Sequence, residues 1–347
     1  MWIDPFSLRL SSPLGTAHGP ISVRRGFLVG TETDGSWGLG EATPLPGWTE
    51  SYDACREALT AYDPERPATA PDPTSTPAAA HAVESARLDA RGRRTNTPLA
   101  TLLRETAFNT ETEPLPAAVP VNATLGDGTL EKTVEKAKTA VSAGYRCLKC
   151  KVGLQTVDDD LQRLEAVREA VGDHIELRVD ANGAWTETTA RRAVDGCARL
   201  GVSVIEQPLD PTALEAHAAL RGRGVGIALD ESLRQYSVPE IAVAGAADRV
   251  VLKPMALGGP LQAIQTAAAA RKAGIDPFVT TTIDGVVGRT AAVHVAAAIP
   301  TVAACGLATA SLLESDLAAD PTTIRDGEIS VPTAGGLCGS FFESLQQ

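Results

Sequence analysis

The chain has 347 residues, 44% of them hydrophobic and 21% charged, with a formal net charge of −12. That balance excludes a nucleic-acid surface, which needs clustered cations, and no stretch approaches the ~18 uninterrupted apolar residues of a membrane span. Met1-Trp2-Ile3-Asp4-Pro5 shows no basic segment followed by an apolar run, so no secretory signal is expected and the protein reads as cytoplasmic.

Residues 1–45 read as strands and turns. Gly26-Phe27-Leu28-Val29-Gly30 and Trp37-Gly38-Leu39-Gly40-Glu41 flank Asp34-Gly35, a hairpin signal. A helix is expected over 51–61. The segment 63–77 has prolines at 64, 67, 71, 73 and 77 and reads as a surface loop. A second helix is expected over 78–91. Strands followed by helices describe an α+β domain, assigned to residues 1–115.

From about residue 120 the texture changes to strand and helix in alternation. Strands are expected at 119–125, 145–152, 175–180, 203–206, 226–230, 249–253, 276–282 and 301–305. Helices are expected at 130–143, 157–171, 187–200, 212–221, 238–244, 260–273 and 286–298, with Gly144, Gly172, Gly201 and Gly274 at helix ends. Eight βα units in this span predict a closed (β/α)8 TIM-type barrel, assigned to 116–324, with the tail from about 325 to 347 packing back on the first domain. No GxGxxG or P-loop follows any strand, which argues against an open sheet.

The polar residues fall at strand ends. Lys149 and Lys151 close the second strand, Asp180 the third, Glu206 the fourth, Asp230 the fifth and Lys253 the sixth. Successive positions from Lys151 to Lys253 are 29, 26, 24 and 23 residues apart, about one βα unit each. In a barrel these ends converge on one mouth, where catalytic groups sit. Any one such charge has a bland explanation as a solvated strand end. Six of matching type on five consecutive strands do not, and the chain has only seven lysines in all.

Converging carboxylates repel unless a cation neutralises them. Three oxygen ligands without Cys or His suit Mg²⁺, with Mn²⁺ as a substitute. Lys149 and Lys151, at i and i+2 of one strand, both point inward, and their repulsion, together with the nearby metal, is expected to lower an ammonium pKa toward that of a useful base. Lys253 would approach from the opposite side. Such a site removes a proton beside a carboxylate and stabilises the enediolate that forms.

The six cysteines read as free thiols of a reducing compartment. Cys147 and Cys150 match CxxC, but i and i+3 of a strand face opposite ways, so packing is expected rather than zinc or redox use. Asp158-Asp159-Asp160 opens a helix, where the macrodipole favours anions, and reads as structural.

This constellation resembles the enolase superfamily and, by its KxK motif, three carboxylates and second lysine, the muconate-lactonizing subgroup. The resemblance implies an N-terminal capping domain whose loops, 14–20 and 46–48, close over the mouth. It implies Lys151 as base, Lys149 as its partner, Lys253 on the opposite face, and Asp180, Glu206 and Asp230 as metal ligands. Gly40-Glu41-Ala42-Thr43-Pro44-Leu45-Pro46-Gly47-Trp48 is similar to the GE-x-x-PLPG segment of o-succinylbenzoate synthases. Arg178-Val179-Asp180-Ala181-Asn182, with Trp185, resembles their RxDANxxW.

Substrate contacts are expected from Thr280, Thr282, Arg178 and Asn182. Thr280 and Thr282 share a strand face and would hold a succinyl carboxylate. Asp284 stands where that family has Glu, which puts a polar role there in doubt. Trp48 reads as packing or as the wall of a ring pocket, and His18 as a solvated loop histidine or a carboxylate contact. The reaction implied is dehydration of a succinyl-hydroxy-cyclohexadiene carboxylate in menaquinone synthesis. The same site also suits an N-acylamino acid racemase, a dipeptide epimerase or a muconate-type cycloisomerase. The epimerase is disfavoured because 311–314 lacks Asp-x-Asp. A Schiff-base aldolase or a silent binding protein stands further off. The partner expected is a small carboxylate. Barrels of this kind associate as homo-oligomers, and no interface is legible.

Overall fold

Three strands, β1 (Trp2–Leu14), β2 (Ile21–Thr33) and β3 (Ser36–Ala42), form an antiparallel sheet in that order. The computed structural model describes residues 1–15, 19–108 and 114–345, so His18 lies outside the described residues. Asp34 and Gly35 take φ of 51° and 76°, the paired positive angles of a two-residue hairpin turn. Then come α1 (Tyr52–Ala61), α2 (Pro77–Thr95) and α3 (Leu99–Ala107). The first opens on Ser51, whose hydroxyl accepts the Ala54 N–H.

Helix α2 lies on β3 at backbone distance. A Cβ on Gly40 would overlap the Ala82 carbonyl, and one on Gly38 the Ala86 carbonyl. Helix α3 is an addition to the elements expected from sequence.

The expected strand at 119–125 is two strands. β4 (Ala118–Pro120) pairs antiparallel with residues 328–330, while β5 (Asn122–Gly126) opens the barrel. After it run α4 (Leu130–Ser142), β6 (Cys147–Lys151), α5 (Val157–Val171), β7 (Glu176–Asp180) and α6 (Glu187–Arg199). Each of these three helices is capped by a threonine, Thr129, Thr156 or Thr186, whose hydroxyl accepts the N–H three residues on. The series continues with β8 (Val202–Glu206), α7 (Leu214–Ala218), β9 (Gly226–Leu229), α8 (Val238–Ala244) and β10 (Arg249–Leu252). It ends with α9 (Pro254–Leu257), α10 (Pro260–Lys272), β11 (Asp276–Val279) and α11 (Val286–Ala298).

Strands β5 to β11 are parallel neighbours in chain order. Val121 bridges Cys305 and Thr280 bridges Gly306, both in parallel, so residues 305–306 join the first strand to the last. The barrel closes there. The chain finishes with β12 (Ile324–Arg325) and β13 (Glu328–Ser330), which sit beside β4. Beyond them the tail crosses to the first domain: Leu337 N–H donates to Asp89 of α2, and Leu99 N–H of α3 donates to the Gly336 carbonyl.

In a (β/α)8 barrel the helices begin at the mouth, because each follows the C-terminal end of a strand. Two helix starts receive acids from the first domain. Glu41 of β3 accepts the N–H groups of Gly285 and Gly288 at α11, at 2.7 and 2.8 Å. Glu84 of α2 accepts the Leu261 N–H at α10, at 2.7 Å. Met255 of α9 joins the apolar core of the first domain, with Phe27, Leu59 and Ala82. These contacts seat the N-terminal domain over the mouth.

Candidate active site

Lys151, Asp180 and Glu206 form one row. Lys151 is the register partner of Asp180 across β6–β7, and Asp180 that of Glu206 across β7–β8. Equal register on parallel strands brings side chains of one face together. Lys149 lies two residues deeper on the same face and donates to Asp180 Oδ2 at 3.1 Å and to both Glu206 oxygens at 3.1 and 3.2 Å. Lys151 donates to Asp180 Oδ2 and to Asn182 Oδ1, both at 2.7 Å. Its side chain is 33% exposed against 12% for Lys149, so Lys151 is the lysine open to the mouth.

Asp230 follows β9 and is held by Gln207, whose Oε1 accepts the N–H groups of Asp230 and Ser232. Gln207 Nε2 in turn donates to Ser232 Oγ at 2.8 Å. Lys253 follows β10 and donates to Asp230 Oδ2 at 2.5 Å. The Trp48 ring of the capping loop covers the Lys253 ammonium, 3.1 Å from Nζ to the ring centroid. Trp48 therefore contacts a mouth residue directly, beyond plain packing.

Carboxylates dominate the charge balance around Lys149. Burial acts to lower the Lys149 ammonium, but Glu206, Asp180 and Asp230 outweigh it and hold it above the ordinary lysine value. Asp180 stays well below the usual carboxylate range because Lys149 and Lys151 outweigh its burial. Burial, reinforced by Asp180, pushes Glu206 up to about 7, and burial pushes Asp230 up to about 6.

Among the described residues no three acids, histidines or cysteines stand as a ready-made metal cage. Ammonium groups lie among the carboxylates instead. The residues nonetheless fit a hard divalent ion: the donors are all carboxylate oxygens, and Asp230 Oδ1 is buried without a partner among the described residues. Buried polar atoms left unpaired are rare in folded proteins and point to a missing ligand.

Other expected contacts fall elsewhere. Arg178 is two residues before the strand end, one layer down inside the barrel, where its guanidinium donates to Glu176 and the Ala304 carbonyl and stacks on Phe278. It is not brought to the mouth. The chain leaves β11 at Val279, so the alternation assumed for Thr280 and Thr282 does not extend to them. Thr280 Oγ1 donates to the Gly306 carbonyl, and the buried Thr282 donates to Asp284 Oδ1 at 2.5 Å. Asp284 thus has a polar role. Asn182 meets Lys151 and Glu231.

Several contacts escaped the sequence reading. Asp160 accepts the Gly153 N–H at 2.7 Å and pairs with Arg163, which donates to the Lys151 carbonyl. It anchors the loop after Lys151 as well as the helix start. Gln207, Glu231 and Glu41 were likewise missed. Gln207 and Glu231 stand beside strand-end residues already singled out, and Glu41 stands in the GE-x-x-PLPG segment, but no pattern gave their partners. All six cysteines are buried and free, and among the described residues no helix is long and apolar enough to cross a membrane.

A closed barrel with lysines and carboxylates gathered at a capped mouth defines a barrel enzyme. The chain belongs to the enolase superfamily: the family model described as enolase C-terminal domain-like matches residues 132–341. It is 39% identical to an o-succinylbenzoate synthase of Thermobifida fusca over 222 residues, 63% of this chain and 68% of that protein. It resembles in structure a muconate lactonizing enzyme of Pseudomonas fluorescens complexed with muconolactone, with TM-score 0.84, 29% identity and coverage of 99% and 96%. A dipeptide epimerase of Enterococcus faecalis, complexed with Mg and a dipeptide, gives TM-score 0.82, 26% identity and coverage of 97% of each chain.

Proposed function

We propose that this chain is a cytoplasmic o-succinylbenzoate synthase, which dehydrates a succinyl-hydroxy-cyclohexadiene carboxylate in menaquinone biosynthesis. The observation that carries the substrate assignment is the similarity to the Thermobifida fusca synthase, joined to the GE-x-x-PLPG and RxDANxxW segments. The site supports the reaction class. Asp180, Glu206 and Asp230 would hold Mg²⁺, or Mn²⁺ in its place, which would supply positive charge beside the substrate carboxylate.

Lys151, as the free amine, takes the proton beside the carboxylate. The electron pair left behind expels the ring hydroxyl, which takes that proton back from the Lys151 ammonium and leaves as water. Aromatisation makes that loss favourable. Lys253 faces the mouth from the other side as a cation and opposes the developing negative charge. Trp48 stacks over Lys253 and closes that side to water.

A racemase of N-acylamino acids is the second reading, because lysines stand on both sides of the carboxylates. Racemisation needs Lys151 and Lys253 as acid–base partners, whereas dehydration needs only a cation at 253. The test is product formation from purified, Mg²⁺-supplied enzyme. We expect o-succinylbenzoate from the wild type, none from Lys151→Ala, and partial activity from Lys253→Arg. No product from well-folded wild type would refute the substrate assignment, and racemisation abolished by Lys253→Arg would establish the second reading.

A further inference from the structure

Asn182 sits at the centre of a closed set of contacts. Its backbone takes φ of 44°, in the left-handed region that Asn tolerates better than most residues. Asp180 Oδ1 accepts its N–H at 3.1 Å, which pins that backbone two residues past the strand end. Its side-chain Oδ1 accepts from Lys151 Nζ at 2.7 Å, and its Nδ2 donates to Glu231 Oε1 at 2.9 Å.

The direction of this amide is not arbitrary. A carboxylate only accepts and an ammonium only donates. Glu231 therefore draws the NH₂ half of Asn182 toward itself and leaves the oxygen half for Lys151. If the amide turned over, it would present its NH₂ to an ammonium and its oxygen to a carboxylate, two repulsive contacts in place of two hydrogen bonds. Glu231 Oε2 is buried with no partner among the described residues, so its bond to Asn182 is made by Oε1 alone.

We propose that Glu231 is a positioning residue for the base: through Asn182 it fixes where the Lys151 Nζ stands. The proposal rests on Lys151 acting as the base. Asp180 provides the second contact of that nitrogen, so the lysine is located by two oxygens about the row of carboxylates. Residues that orient the groups at a metal centre in this way typically alter activity by about 10–100-fold when changed. Here the change should fall on turnover and leave substrate binding alone, because Glu231 reaches the reacting atoms only through Asn182 and Lys151.

The test is a double-mutant cycle on Glu231→Gln and Asn182→Ala in the Mg²⁺-supplied enzyme, with Mg²⁺ affinity and melting temperature measured on each protein. A glutamine can offer either half of its amide, so it no longer imposes one direction on Asn182. We expect each single variant to lose about 10–100-fold in kcat, with KM within about threefold and Mg²⁺ affinity unchanged. The double variant should lose no more than Asn182→Ala alone, since both act along one path. Losses that multiply, a wild-type kcat in Glu231→Gln, or a loss confined to Mg²⁺ affinity would overturn the proposal. Should Glu231→Gln fail to fold, Glu231→Asp, acceptor-only but one methylene shorter, reads the same cycle.

A crystal structure of the variant poses the question without substrate. Lys151 Nζ should leave Asn182 Oδ1, and an unchanged contact would contradict the inference. Wild-type enzyme that makes no o-succinylbenzoate, yet shows that displacement in the variant, would sink the substrate assignment and leave this inference standing.

Discussion

Lys149 touches two of the three mouth carboxylates, Asp180 and Glu206, and its side chain is largely buried. Removing one partner of a buried pair leaves the other charge uncompensated, at a cost of about 3–5 kcal/mol. Lys149→Met should therefore lower the melting temperature of metal-free protein. Mg²⁺ should recover more of that loss than it adds to the wild type, because the ion neutralises the same two acids. Differential scanning calorimetry with and without Mg²⁺ checks this, and equal Mg²⁺ gains in both proteins would count against it. The six strand-end residues were legible in sequence because barrel geometry takes strand ends to one place. Thr280 and Thr282 were expected to share a strand face, but β11 ends at Val279 and the period of two does not carry on to Thr282. Glu231 and Gln207 act across strands, through partners more than twenty positions away, and no local pattern announces such contacts.

Helix α2 approaches β3 so closely that only glycine fits at 38 and 40. Gly40→Ala must push the helix off the sheet, and overpacking of this kind costs about 3 kcal/mol. Urea unfolding should show a reduced midpoint, and an unchanged midpoint would mean that the two elements part more easily than their packing implies. Helix α11 carries a titratable tether. His294 accepts the Ala100 N–H at Nδ1 and donates from Nε2 to the Leu337 carbonyl. Burial pushes its pKa down from 6.5 to about 4. The unfolded chain then takes up the proton first as pH falls, so the stability this residue gives is present above pH 6.5. It is lost between there and about 4, on the order of 3 kcal/mol. His294→Gln should flatten that part of the stability profile; an equally steep decline would contradict it. Amphipathic helices with a capping threonine were readable residue by residue. α3 was not: it is nine residues long, starts after Pro98 with no side-chain cap, and shows itself only by Leu99, Leu102 and Leu103 on one face.

At the scale of the molecule, two of the attachments that hold the N-terminal domain on the barrel come from separate pieces of chain, beside the α3–α11 contact of Ala100 with His294. One is the set of contacts from Glu41, Glu84 and Met255 at the mouth. The other is the tail, which bonds to α2, α3 and α11 in passing. Deleting residues 331–347 removes the buried Leu337 and Phe342, uncovers the surface they pack on, and takes from Asp89 and His294 their hydrogen bonds to Leu337. Thermal unfolding should then separate into two transitions, and a single unshifted transition would show that the tail contributes little. The alternation of strands and helices revealed the barrel plainly. The resemblance implied that the first domain caps the mouth, but the contacts that seat it were not readable, because they depend on acids at helix starts that are distant in sequence.

The account stands on Asp180, Glu206 and Asp230 sharing one divalent ion between Lys151 and Lys253. Isothermal titration of Mg²⁺ into wild type, Glu206→Gln and Asp230→Asn tests that most directly. The account predicts one saturable site in the wild type and its loss in both variants. Wild-type protein without saturable binding, or variants that bind as the wild type does, would contradict it.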